Sequence, residues 1–211
     1  MIIKKYDIEL HRLTEADLEL VRRHRNSDAI REKMFFQKEI SAEDQKKWFL
    51  TINTAFNYYF LVNWKGKKVG LINGTITSLE KKETKGGVFF WDNEFMLSYM
   101  PICASLIMGD LTFFLLKMLE SKAVVRTDNE RALIYNLKLG YKTTKIENEK
   151  TFMTLDKESF NNCEFKKTIK RIRKDDTDLS WHNIHMSYEQ LENKNGLLMS
   201  EFLEQYKSSV L

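Results

Sequence analysis

The stretch VVRTDNERALIYNLKLGYK, Val124 to Lys142, carries more architectural information than any other in this chain. Val124 and Val125 end a short β-branched strand, and Asn129 then has the right side chain to cap a helix, accepting a hydrogen bond from the backbone two or three residues on. Leu133, Leu137 and Leu139 give that helix an apolar face, Gly140 stops it, and Tyr141 opens the next strand. The spacing predicts strand, capped helix, glycine stop and closing hairpin from Ala123 to Leu155.

Working outward, Ile8 to Leu13 alternates as a strand. Thr14 with Asp17 marks a helix start, and that helix ends near Asn26; a short helical piece runs from Asp28 to Met34. Ser41 with Asp44 caps a helix presenting Trp48, Phe49 and Ile52. Asn57 to Trp64 and Lys68 to Thr77 read as a hairpin turning at Lys65-Gly66-Lys67. Ser78 to Gly87 reads as a solvated loop, Val88 to Met100 as a long strand bulged at Asp92-Asn93, and Ser105 to Ser121 as a buried helix. Beyond it, Phe160, Phe165, Ile169 and Ile172 recur at helical spacing among lysines and arginines, and Leu197 to Tyr206 reads as another amphipathic helix. These elements make an α/β (α+β) fold, a mixed sheet with helices on both faces and a C-terminal helical extension. The expected division is 1–157 for the main domain and 158–211 for the extension.

Composition narrows the function classes. The chain has 211 residues, 43% hydrophobic and 30% charged, with a formal net charge of +4. That is enough to bury a core, and the mild positive charge suits an anionic ligand. Its two cysteines read as reduced thiols, no apolar run approaches a membrane span, and the charged N-terminus is unlike a signal peptide, so a cytoplasmic address is expected. His182 and His185 have no carboxylate or cysteine cluster beside them, and no metal is expected. The basic run Lys166 to Lys174 reads as a solvated helix face rather than a nucleic-acid surface.

The stretch quoted first resembles the C-terminal half of the GNAT superfamily of N-acyltransferases, whose members read roughly V-x3-N-x2-A-(I/L)-x2-Tyr-x-K-L-G-(F/Y). Asn129, Ala132, Lys138, Leu139, Gly140 and Tyr141 match it in register. RLTEADLELVRRHRNSDAIREKMFFQKEISAEDQKKWF, Arg12 to Phe49, is similar to a branch of that superfamily acting on amino sugars of sugar nucleotides and on ribosomal proteins or antibiotics; KVGLIN, Lys68 to Asn73, fits as well. The resemblance spans about Ile8 to Leu155. It implies a mostly antiparallel GNAT-like sheet, acetyl-CoA as co-substrate, and direct attack by a small-molecule primary amine, foremost an amino sugar on a nucleotide. A protein N-terminal acetyltransferase and a catalytically silent GNAT-fold binding protein are the alternatives. The partners implied are the amine acceptor and a second copy in a homodimer, without membrane or nucleic acid.

The resemblance also implies a site. Backbone groups of Leu97, Ser98 and Tyr99 would hold the pantetheine arm and polarise the acyl carbonyl. PICASLIMGD, Pro101 to Asp110, falls where a P-x2-(R/Q)-G-x-G-x-G loop would wrap the pyrophosphate. Pro101 and Gly109 are in register, but Ala104, Ser105 and Ile107 replace the arginine and the earlier glycines. The expectation is a loosened loop in which backbone N–H groups of Ser105, Leu106, Ile107, Met108, Gly109 and Asp110 still bind phosphate, with Asn129 beside it. The family's tyrosine position is Asn136; Tyr135 comes one residue early, about 100° round the helix. Asn136 facing the thiolate and Tyr135 acting as an acid therefore both stand as readings. Glu94, with Asp92, is the candidate base, and Met34, Phe35, Phe36 and Gln37 the candidate acceptor pocket.

Overall fold

The computed structural model describes residues 1–173 and 185–187. Among the described residues nine strands form one sheet: β1 (Ile2–Lys5), β2 (Ile8–Arg12), β3 (Asn57–Trp64), β4 (Lys67–Ser78), β5 (Glu83–Phe90), β6 (Glu120–Arg126), β7 (Lys142–Glu147), β8 (Lys150–Asp156) and β9 (His185–Ser187). Their order is β7-β8-β6-β5-β4-β3-β2-β1-β9, and every pairing is antiparallel except β5 with β6. The expected mixed, mostly antiparallel sheet with helices on both faces is the observed fold.

Helices α1 (Leu18–Asn26), α2 (Asp28–Arg31) and α3 (Ala42–Ile52) lie on one face. There Leu13, Leu18, Val21, Phe49, Leu61 and Leu71 form a compact core. The capping signals act as read: Asp17 Oδ2 accepts from Thr14 N at 3.0 Å and Asp44 N donates to Ser41 Oγ at 3.0 Å. On the other face the larger core holds α5 (Met100–Asp110), a π-type turn over Leu111–Leu115, α6 (Glu130–Leu139), α7 (Lys157–Asn161) and α8 (Glu164–Arg173). Phe160, Phe165 and Ile169, from the start of the C-terminal extension, lie in that core with α5. The helix read at Leu197 to Tyr206, and His182, lie outside the described residues.

The region between β4 and β6 differs from the sequence reading. The loop at Ser78 to Gly87 is only a turn, and β5 starts at Glu83. The strand placed at Val88 to Met100 ends at Phe90, because Asp92 caps a short helix, α4 (Asn93–Leu97), accepting from Phe95 N at 2.8 Å. Leu97, Ser98 and Tyr99 therefore end that helix and enter the next, and cannot supply strand-edge donors. The pyrophosphate loop is also absent at Pro101 to Asp110. Pro101 is in the first turn of α5, where its missing N–H is harmless, and the apolar run after it is helical and buried nearly all round. Backbone N–H groups from Ser105 to Asp110 are spent within the helix. Gly109 serves packing instead: a Cβ there would lie 2.2 Å from the Phe160 ring. β2 is the strand read at Ile8 to Leu13, but β1 and the hairpin joining the two, turning through Tyr6 and Asp7 at positive φ, differ from the sequence reading. The alternating run there lacks a glycine to mark its turn.

Candidate functional site

β5 and β6 pair only at Glu83–Glu120, Thr84–Ser121 and Lys85–Lys122, then diverge. Past Lys85 the edge of β5 that faces β6 has no strand partner among the described residues, so its backbone groups can pair with an extended ligand. Two residues without side chains, Gly86 and Gly87, stand where the strands part; a Cβ on Gly87 would come within 3.0 Å of Asn73 Oδ1. The opening leads into a cleft of about 1120 Å³ that reaches both faces of the sheet. α5 and α6 border it along their length on one face, and α1, α3 and the segment after α2 on the other.

On the α5–α6 face, Asn129 is occupied as a cap, its Oδ1 accepting from Ala132 N at 3.2 Å. Asn136 lines the cleft with one N–H of its amide donating to Ala132 O at 2.8 Å, which fixes the amide against its own helix and leaves it a carbonyl oxygen and a second N–H. Tyr135 is fastened between the helices. Its hydroxyl donates to Pro101 O at 2.7 Å and lies 2.7 Å from Ser105 Oγ, and its ring packs edge-on against Phe165. Burial pushes its phenol well above the usual range, so it is a poor acid at neutral pH. Ser98 borders the cleft with its hydroxyl donating to Phe95 O at 2.7 Å and accepting from Met100 N at 3.1 Å. Ser105, Met108 and Gly109 reach the cleft only from the side of α5. Leu97 is 88% exposed, outside it.

The base candidates are misplaced. Glu94 is exposed and paired with Lys65 at 2.8 Å beside the β3–β4 turn, and Asp92 is spent as the α4 cap. Neither lines the cleft, whose one carboxylate is Asp44, on the rim. The strand reading had put both on an edge facing the substrate; the capped turn rotates them away.

On the opposite face, Met34, Phe35 and Phe36 line the outer lip, with Phe35 48% and Phe36 54% exposed, so the aromatic pair is not core. Gln37 does not line it; its amide donates back to Glu32 O at 3.0 Å. The dipeptide Arg25-Asn26 holds this segment in place. Asn26 makes both an N–H and a C=O bond with the backbone of Ile40, each 2.9 Å, and Arg25 Nη2 donates to Phe36 O at 2.8 Å. Arg25 Nη1 is buried without a hydrogen-bond partner, and burial lowers the guanidinium pKa. Trp48 packs edge-on against Tyr59 beside it. Arg25, Tyr59 and Asn73 were not marked by sequence reasoning, because which side chains share a face depends on where the strands pair: Tyr59, Asn73 and Gly87 form one cross-strand row.

No family model matches the chain, and no curated protein matches its sequence. Solved structures do share its fold. Spermidine N-acetyltransferase from Vibrio cholerae, in complex with CoA and spermine, superposes with a TM-score of 0.65 over 74% of this chain and 99% of its own, at 14% identity. The aminoglycoside acetyltransferase AAC(6')-Ib in complex with coenzyme A gives 0.64 over 74% and 98%, at 12% identity. A domain from Methanocaldococcus jannaschii gives 0.60 over 71% and 97%, at 20% identity. The architecture is thus that of known N-acetyltransferases.

Proposed function

We propose that this protein is an acetyl-CoA-dependent N-acetyltransferase that acts on a small-molecule primary amine by direct attack. The observation that carries this reading is the parallel β5–β6 pair that opens after three residues onto the glycines at 86 and 87. Acetyl-CoA would supply an activated acetyl thioester. The free edge of β5 would hold its extended amide arm by backbone bonds, and the missing Cβ atoms leave room for it. The phosphate end fits less well, because no glycine loop precedes α5; Ser98, the first turn of α5 and Arg131 on α6 are the groups at that mouth. The acceptor amine would enter from the α1–α3 face, opposite the arm. It must be neutral to attack, and with no carboxylate at the opening its proton would leave to water.

The acceptor is best read as an amine that also carries an anion, such as an amino sugar on a nucleotide. Arg25, Lys33, Arg126, Arg131 and Lys138 line the cleft against Asp44 alone. Arg126 is paired with Asp128 and Lys138 with Glu164, which leaves Arg25 with an unsatisfied N–H inside. A buried guanidinium N–H without a partner is costly until an anion meets it. Polycations such as spermine or aminoglycosides would suit this lining poorly. The two buried cysteines, Cys103 and Cys163, are not joined in a disulfide, which suits a reducing compartment such as the cytoplasm.

Calorimetric titration with acetyl-CoA tests the reading: binding is expected, and no heat at high micromolar ligand would overturn it. A nucleotide-linked acceptor predicts competition by free UDP, abolished by Arg25→Gln; a peptide acceptor predicts none. The silent-fold reading has one observation in its favour, the self-bonded amide of Asn136, and predicts acetyl-CoA binding without turnover on any amine.

A further inference from the structure

The cleft also holds a hydroxyl pair, Ser121 with Tyr141, to which neither the motif that includes Tyr141 nor the site described above gives a chemical role. Gly86 is the first β5 residue past the last β5–β6 pair, and a Cβ built on it would stand 3.9 Å from both Ser121 Oγ and Tyr141 Oη. The two hydroxyls are 2.9 Å apart, both residues are otherwise buried, and both line the cleft. Between them they carry two hydrogens, and their mutual bond consumes one. Among the described residues neither has another hydrogen-bond partner, so one O–H is left to donate.

The surroundings are polar as well. Tyr58 Oη, 0% exposed, lies beside Thr84, Thr112 and Tyr141 without a well-formed hydrogen bond to any of them. A hydroxyl pair with one O–H to spare, beside a buried hydroxyl without a well-formed bond, marks room for a polar atom that is not part of the chain. Of the other donors on this side, the Tyr135 hydroxyl is committed to Pro101 O, and the Asn136 amide is held against its own helix by Ala132 O.

We propose that the Ser121–Tyr141 pair is the hydrogen-bond donor to the sulfur of the bound thioester. This rests on reading the cleft as an acyl-CoA site. The pair donates its spare O–H to sulfur while the amine nitrogen bonds the acyl carbon and the carbon–sulfur bond breaks, leaving its electron pair on sulfur. Tyr141 keeps its own proton, since burial raises its phenol further above a thiol's ~8.5. The proton lost by the amine goes to water, and the products are amide and thiolate.

The test is binding. Near pH 9, where most free thiol is thiolate, CoA and desulfo-CoA are titrated against the wild-type protein and against Ser121→Ala/Tyr141→Phe. The expected result is that the double variant loses about tenfold in CoA affinity and nothing for desulfo-CoA, while Tyr141→Phe alone, which keeps the Ser121 hydrogen, retains the CoA preference. Equal losses for both ligands, or no loss, overturn the pair's role alone. Binding of neither ligand by the wild-type protein overturns the acyl-CoA reading itself. A measurement on the unmutated protein needs no variant to fold: thiolate absorbance should show the thiol of bound CoA titrating below that of free CoA, and an unshifted or raised titration overturns the proposal.

Discussion

The two helices that flank the cleft, α5 and α6, are nearly equal in length and are held by different physics. Nine of the eleven residues of α5 are buried, and it carries no amphipathic signal. Only Leu139 is buried among the ten residues of α6, which is bounded by local chemistry: the Asn129 cap at one end and Gly140, at φ +104°, at the other. α5 is positioned by what packs around it, including Phe160 and the C-terminal helix α8; α6 is positioned by its own termini. One side chain joins them at the cleft mouth, Tyr135 on the carbonyl of Pro101.

The contrast can be broken most severely from the α5 side. Phe160→Ala should cost about 3–5 kcal/mol in denaturant unfolding, because the ring fills the space that Gly109 leaves on α5. Gly109→Ala should be strongly destabilising alone and much less so combined with Phe160→Ala; simple additivity of the two would refute this packing account.

Next comes the buried ion cluster at the end of α5. Asp110 Oδ2 lies 2.9 Å from Lys5 Nζ, and Asp110 Oδ1 lies 3.6 Å from Lys166 Nζ on α8. Lys5→Met should cost about 3 kcal/mol at neutral pH. Burial already pushes the Asp110 carboxyl above its ordinary range, and losing Lys5 should push it further. The folded variant then holds a proton that the unfolded chain has released, so its stability should fall as pH rises above ~3.9. A flat pH profile in urea titrations of Lys5→Met would show that Lys166 alone compensates the charge.

Changes on the α6 side should be smaller. Asn129→Ala removes one cap and should cost about 1 kcal/mol, with the cleft otherwise intact. Tyr135→Phe removes the one hydroxyl that ties the helices together, also about 1 kcal/mol. Its sharper signature is functional: acetyl-CoA affinity should fall more than for Asn129→Ala, although both are equally mild in thermal unfolding. Equal affinities would mean that α5 and α6 need no tie to shape the cleft.

The same contrast decides what could be read in advance. α6, the β3–β4 hairpin and the caps at Thr14–Asp17 and Ser41–Asp44 are specified by residues within a few positions of one another, and all stand where the sequence puts them. In α5 the apolar run Ile102 to Met108 has no periodicity to separate strand, loop and helix, so the family's phosphate pattern was laid over it, and Gly109 was taken for a cradle when it faces an aromatic ring. The Asp92 cap, followed by Glu94 in the first turn, was a legible signal against a long strand.

Sequence alone thus determined the order of strands and helices from β2 to β4 and from β6 to β8, because that order rests on local hydrogen bonding and short periodicities, and the resemblance it carries pointed to the acetyltransferase-like architecture. Only the tertiary structure decided which polar groups meet at the cleft. Arg25, Asn73, Ser121 and Tyr141 come from four separate stretches of chain, and their side chains converge because strand register and the parting of β5 from β6 bring them there. Glu94, Leu97 and Ser105 are displaced by the same geometry, since a strand that ends ten residues early turns every later side chain to a different neighbour.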